Sequence, residues 1–110
     1  YKLSLLHVVC GDNQSPTANI KLQYNGEEKE ATATGNGPVN ATVKAITSVI
    51  GKDIDLKEFT IQAMHGGSDD VSKVNMRVSF DGKFYQGYGF STDIVKASAN
   101  AYLDAINKFL

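Results

Sequence analysis

TANIKLQYNGEEKEATATGNGPVNATVKAITSVIG, residues 17–51, changes its period once, and that change decides the fold. From Thr17 to Tyr24 the residues alternate strictly. Ala18, Ile20, Leu22 and Tyr24 share one face, and Thr17, Asn19, Lys21 and Gln23 share the other. A period of two sustained this long specifies a half-buried strand with one wet side. Asn25-Gly26 supplies the positive-φ pair of a two-residue hairpin. The stretch from Glu28 to Thr34 then reads as the return strand, with Ala31 and Ala33 on one face. After Gly35-Asn36-Gly37-Pro38 the apolar residues fall at Val39, Val43, Ile46 and Ile50, which is one stripe of a helix. Pro38 suits a first helical position, where a missing N–H costs nothing. Gly51 suits a left-handed stop.

Outward from this stretch the same order returns. Lys2 to Cys10 is apolar and β-branched enough for a preceding strand, so the first half reads β-β-β-α. In the second half, Leu56 to Met64 makes a strand with Phe59, Ile61 and Ala63 on one face. Val74, Met76, Val78 and Phe80 alternate with polar residues, Asp81-Gly82 turns the chain, and Phe84 to Phe90 returns. Thr92 or Ser91 can cap a last helix, with Asp93 in its first turn and Lys108 in its last. Val95, Tyr102, Ile106 and Phe109 form its stripe. Gly35-x-Gly37 and Gly87-x-Gly89 are 52 positions apart, as are Val43-Lys44-Ala45 and Val95-Lys96-Ala97. The hairpin glycines, Gly26 and Gly82, are 56 apart, which implies a longer first return strand. The expected fold is α+β: duplicated βββα units, 1–51 and 52–110, packed about a pseudo-twofold axis. Each unit has an antiparallel-rich sheet and one helix, and residues 1–110 form a single domain.

Composition narrows the function. The 110 residues are 42% hydrophobic and 21% charged, as in a globular domain. A net charge of -1 offers no basic field for nucleic acid or an acidic membrane. No apolar run reaches the roughly 18 residues that span a bilayer, and no signal peptide is visible. One cysteine, Cys10, leaves no internal disulfide, which fits the reducing cytoplasm. The chain opens at Tyr1 on a strand, as a piece of something longer would.

Little in the chain is equipped for catalysis. Cys10 has no evident base beside it and reads as a buried structural thiol. His7 and His65 are unpaired, and Asp12, Asp69 and Asp70 lack the spacing of a calcium loop, so no metal site is expected. The segment from Gly35 to Asn40 begins like a dinucleotide fingerprint but has Asn40 in place of the third glycine, and Pro38 removes a donor. What remains are two strand-to-helix turns. They are either tight turns alone or helix starts able to receive a carboxylate.

Four strings in this order resemble the C-terminal regulatory domain of the 2-isopropylmalate synthase family. They are Ser15-Pro16-Thr17-Ala18-Asn19-Ile20-Lys21-Leu22, Gly35-Asn36-Gly37-Pro38-Val39-Asn40-Ala41, His65-Gly66-Gly67-Ser68-Asp69-Asp70 and Gly87-Tyr88-Gly89-Phe90-Ser91-Thr92-Asp93-Ile94-Val95. The related citramalate synthases share this domain. The resemblance implies feedback regulation of leucine biosynthesis, a homodimer, and L-leucine held where the units join. In the citramalate synthases the ligand would be L-isoleucine. By position the inhibitor would meet Val39, Asn40, Leu56, Phe59, Ala63, Val74 and Phe90. Phe59 stands where the family often has tyrosine, and Asp70 where alanine is common. The resemblance places catalysis in an N-terminal TIM barrel outside this chain. There a divalent metal would help an acyltransferase condense acetyl-CoA with 2-oxoisovalerate, and the regulatory domain itself would need no cofactor. A purely structural dimerisation module is the reading of another class.

Overall fold

A computed structural model describes residues 1–11, 14–64 and 71–110. The chain divides into two compact units, Tyr1–Asp53 and Ile54–Leu110. In the first, strands β1 (Lys2–Val9), β2 (Thr17–Tyr24) and β3 (Glu27–Thr34) precede helix α1 (Pro38–Ile50). In the second, β4 (Asp55–Met64), β5 (Val71–Phe80) and β6 (Lys83–Ser91) precede α2 (Ile94–Ile106). Each sheet is antiparallel in sequence order, β1-β2-β3 and β4-β5-β6. The fold is therefore α+β, with two βββα units.

The hairpins form as the sequence implies. Tyr24 pairs with Glu27 and Phe80 with Lys83, across turns in which Asn25 and Asp81 both have φ of 52° and Gly26 and Gly82 both have φ of 78°. These mirror-image turns match the right-handed twist of the strands they join. The alternation of β2 also holds: Ala18, Ile20 and Leu22 are fully buried, as are Val74, Met76 and Val78 on β5. Both middle strands lie under their own unit's helix.

The helices depart from the expected stripe in an informative way. Ala41, Thr42, Ala45, Ile46 and Ile50 are the buried face of α1, while Val39 and Val43 are only half-buried. The small residues let the helix axis approach the sheet, which pushes the two valines to its margin. On α2 the buried face is Ala97, Ser98, Ala99, Ala101, Tyr102, Leu103, Ala105 and Ile106. Phe109, past the helix, stacks on Phe80 at 4.5 Å and tilts against Tyr85 at 4.7 Å.

The repeat is real, but its register is 56 and not 52. Pro38 corresponds to Ile94, and both helices run 13 residues. Val39 then matches Val95, Ala41 matches Ala97, Thr42 matches Ser98, Ala45 matches Ala101, and Ile50 matches Ile106. The hydroxyl of Thr42 donates to the Pro38 carbonyl at 2.8 Å, and that of Ser98 donates to the Ile94 carbonyl at 2.7 Å. Each thereby satisfies a buried hydroxyl four residues back along its own helix. Even the irregularity repeats: β1 slips against β2 between Leu3 and Leu5, and β4 slips against β5 between Leu56 and Glu58. Leu3 opposes Leu22 as Leu56 opposes Val78, its counterpart in the other unit.

The correct register removes the paired Gly-x-Gly turns. Gly35 and Gly37 do precede α1, with Gly37 at the N-cap. Gly87 and Gly89 instead lie inside β6, at the positions of Ala31 and Ala33 on β3, and face α2. A Cβ on Gly89 would come within 2.7 Å of the Ala101 nitrogen, and one on Gly87 within 2.9 Å of the Ala105 Cβ. They are glycines because α2 packs its backbone against the strand, not because the chain turns there. The return strands are also close in length, eight and nine residues. No longer first strand is needed.

Three smaller expectations change as well. Asp93 itself is the N-cap of α2, and Ser91 Oγ accepts from the Asp93 N–H at 3.1 Å. Lys108 lies beyond the helix, which ends at Ile106, and donates to the Gln86 carbonyl. Cys10 is exposed, because edge strand β1 ends at Val9 and nothing covers the residue after it.

Candidate functional site

The seven residues expected to meet an inhibitor are spread over four environments. Val39 and Asn40 open α1. The first helical backbone bond runs from the Ala41 N–H to the Gly37 carbonyl at 2.9 Å, and no side chain caps this end. The N–H groups of Val39 and Asn40 thus have no intrahelical acceptor. They sit where the helix dipole favours an anion. The Asn40 side chain turns back to accept from the Asn36 N–H at 3.2 Å, which braces the turn beneath them.

The start of α2 is different. Asp93 Oδ1 accepts from the Val95 N–H at 2.9 Å and from the Lys96 N–H at 3.4 Å. A carboxylate of the chain itself already occupies the position a ligand carboxylate would take. Of the two helix starts that the sequence suggested as anion acceptors, only that of α1 is open.

Leu56, Phe59 and Ala63 share one face of β4. Their cross-strand partners on β5 are Val78, Met76 and Ser72, so they belong to the side of the sheet that α2 covers. Helix α2 packs on β5 and β6, however, and among the described residues it makes no contact with β4. The strip is therefore left open. Leu56 is 38% exposed, Phe59 is half-buried and Ala63 is exposed. Ile61, opposite Val74 on the same face, is 47% exposed and completes the strip. The alternation of Phe59, Ile61 and Ala63 carried the signal for Ile61, although the site reading passed over it. In the first unit α1 does touch β1, and Leu3, Leu6 and Val8 there are half-buried.

The other two residues are placed differently. Val74 is fully buried beneath α2, beside Ile61. Phe90 lies on the opposite face of the same sheet, pairs with Lys73, and is 55% exposed. Within the second unit the structure thus groups Leu56, Phe59 and Ala63, and separates Phe90 from them. His65, Asp69 and Asp70, and Asp12 in the first loop, lie outside the described residues. Among the described residues no three His, Cys, Asp or Glu side chains gather closely enough to hold a metal ion, and no helix is long and apolar enough to cross a membrane.

Residues 1–110, the whole chain, match the model of the LeuA allosteric (dimerisation) domain. The chain belongs to this family. Three relatives are named 2-isopropylmalate synthase. That of Parabacteroides distasonis is 44% identical over 110 residues, 99% of this chain and 22% of that protein. Those of Trichodesmium erythraeum and Aquifex aeolicus are each 43% identical, covering 98% and 96% of this chain and 20% and 21% of those proteins. The LeuA domain described here thus spans about a fifth of the length of the relatives it matches.

Proposed function

We propose that this chain is the feedback-regulatory domain of a 2-isopropylmalate synthase. It would bind L-leucine as end-product inhibitor and pair with a second copy. The observation that carries the reading is the match of all 110 residues to an allosteric, dimerising family, with relatives of that name above 40% identity. Two local features support it. The open start of α1 supplies N–H donors for an α-carboxylate. Separately, in the second unit, the uncovered strip of Leu56, Phe59, Ile61 and Ala63 supplies an apolar surface for a second protomer. Catalysis, with its divalent metal and acetyl-CoA, then belongs to the barrel of the parent synthase. Inhibition works only because leucine binds one arrangement of the regulatory dimer better than another.

The nearer alternative is an isoleucine-responsive domain of a citramalate synthase. Moving one methyl from γ to β is worth about 1–3 kcal/mol in a shaped pocket. Thermal unfolding of the chain in millimolar L-leucine and in millimolar L-isoleucine separates the two. A rise in Tm with leucine and a smaller one with isoleucine is expected. The reverse order would assign the domain to isoleucine, and no rise with either would leave dimerisation as its role.

A further inference from the structure

Beyond inhibitor binding and dimerisation, the outer face of the second unit's sheet carries a further feature. On the face of its sheet turned away from α2, Thr60, Gln62, Lys73, Asn75 and Tyr88 line an open hollow of about 190 Å³, drawn from all three strands. The repeat supplies an internal control. The corresponding positions of the first sheet are His7, Val9, Thr17, Asn19 and Thr32, identified by their identical pairing: His7 opposite Asn19 as Thr60 is opposite Asn75, and Val9 opposite Thr17 as Gln62 is opposite Lys73. There the Asn19 amide closes onto the Thr32 hydroxyl at 2.8 Å, and Lys21 is engaged by Glu28 and Glu30 at 3.9 and 3.6 Å. On the first face the Asn19 amide and Lys21, the counterpart of Arg77, are thus satisfied by partners of their own.

The second face adds a cation, Lys73, where the first has Thr17. Arg77 is matched by Glu58 at 3.3 Å, whereas Lys73 has no carboxylate partner among the described residues. Its ammonium is held 4.8 Å from the centre of the Tyr88 ring and 6.0 Å from that of Phe90. Such contacts orient a cation but do not neutralise it. Asn75 accepts from the Gln86 amide at 3.2 Å, which leaves its own NH2 as an unused donor. At the outer edge of β6 two backbone groups are engaged: Asp104 accepts from the Tyr88 N–H at 3.0 Å, and Lys108 donates to the Gln86 carbonyl.

We propose that this hollow binds a small carboxylate carrying a flat ring or apolar portion and a hydroxyl. The carboxylate pairs with Lys73, the flat portion lies against Tyr88, and the hydroxyl meets Thr60, Gln62 or the Asn75 amide. The test is an amide-resolved NMR titration of the chain with 4-hydroxybenzoate, with 4-hydroxybenzamide as the uncharged control. Saturable shifts confined to Gln62, Lys73, Asn75 and Tyr88 are expected, with Thr17, Asn19 and Thr32 unmoved. The Lys73→Gln variant, its folding confirmed by unchanged peak dispersion, should weaken the response at least tenfold. Equal response to the amide, an unaltered response in Lys73→Gln, or no saturable shift at these positions would each overturn the proposal. Leucine added to the same sample should leave this face alone, so the two sites succeed or fail separately.

Discussion

Gly89 and Asp93 show how much single residues decide in the second unit. Because the Ala101 nitrogen lies 2.7 Å from where a Gly89 Cβ would stand, Gly89→Ala forces α2 away from β6. Overpacking of this kind costs about 1–3 kcal/mol. Urea unfolding should show a midpoint lowered to match, while Gly37→Ala, whose Cβ would meet nothing within 4 Å, should lose no more than about 1 kcal/mol at a helix cap. Asp93→Ala removes the acceptor for two N–H groups and should cost about 1 kcal/mol by the same measurement. If Gly89→Ala proved neutral, the account of its close packing would be wrong. These residues also show where the sequence was misleading. A glycine pair looks alike whether it serves a turn or a close approach, and only the register of the neighbouring strand separates the two.

At the scale of elements, the periodicities that rest on side-chain faces were legible and the boundaries set by packing were not. The strict alternation of β2 and β5 and the two Asn-Gly-type turns led directly to the hairpins, because each depends on residues adjacent in sequence. The buried face of α1 did not follow from its valines. Ala41 and Ala45 gain contact by bringing the helix near the sheet, which an apolar stripe counted by size does not reveal. The 52-residue match of Val43-Lys44-Ala45 with Val95-Lys96-Ala97 is likewise one helical turn out of step, since residues four apart lie on nearly the same helix face. In the 56 register Ile46 corresponds to Tyr102, and both are fully buried. Tyr102→Ala should therefore cost about 3–5 kcal/mol of stability, measured by the loss in unfolding free energy. A loss below 1 kcal/mol would contradict its place in the core.

For the whole molecule, the resemblance read from four short strings agrees with the match of the full chain to an allosteric, dimerising family. The candidate site was legible only in part. Leu56, Phe59 and Ala63 come together because strand alternation puts them on one face, and α2 stops short of β4. The separation of Phe90, and the closing of the second helix start by Asp93, depend on the repeat register and could not be read from motifs alone. The open strip makes a discriminating prediction. Phe59→Asp should abolish leucine binding with the dimer intact if the strip holds the ligand, and should dissociate the dimer if the strip is only an interface. Analytical ultracentrifugation of the variant, with and without leucine, distinguishes the two. The most direct measurement of the regulatory claim is calorimetric titration of L-leucine into residues 1–110 at a concentration where the protein is dimeric. Saturable heat, with a weaker isotherm for L-isoleucine, is the predicted result. A titration with no heat at millimolar leucine, together with an unchanged melting temperature, would contradict it.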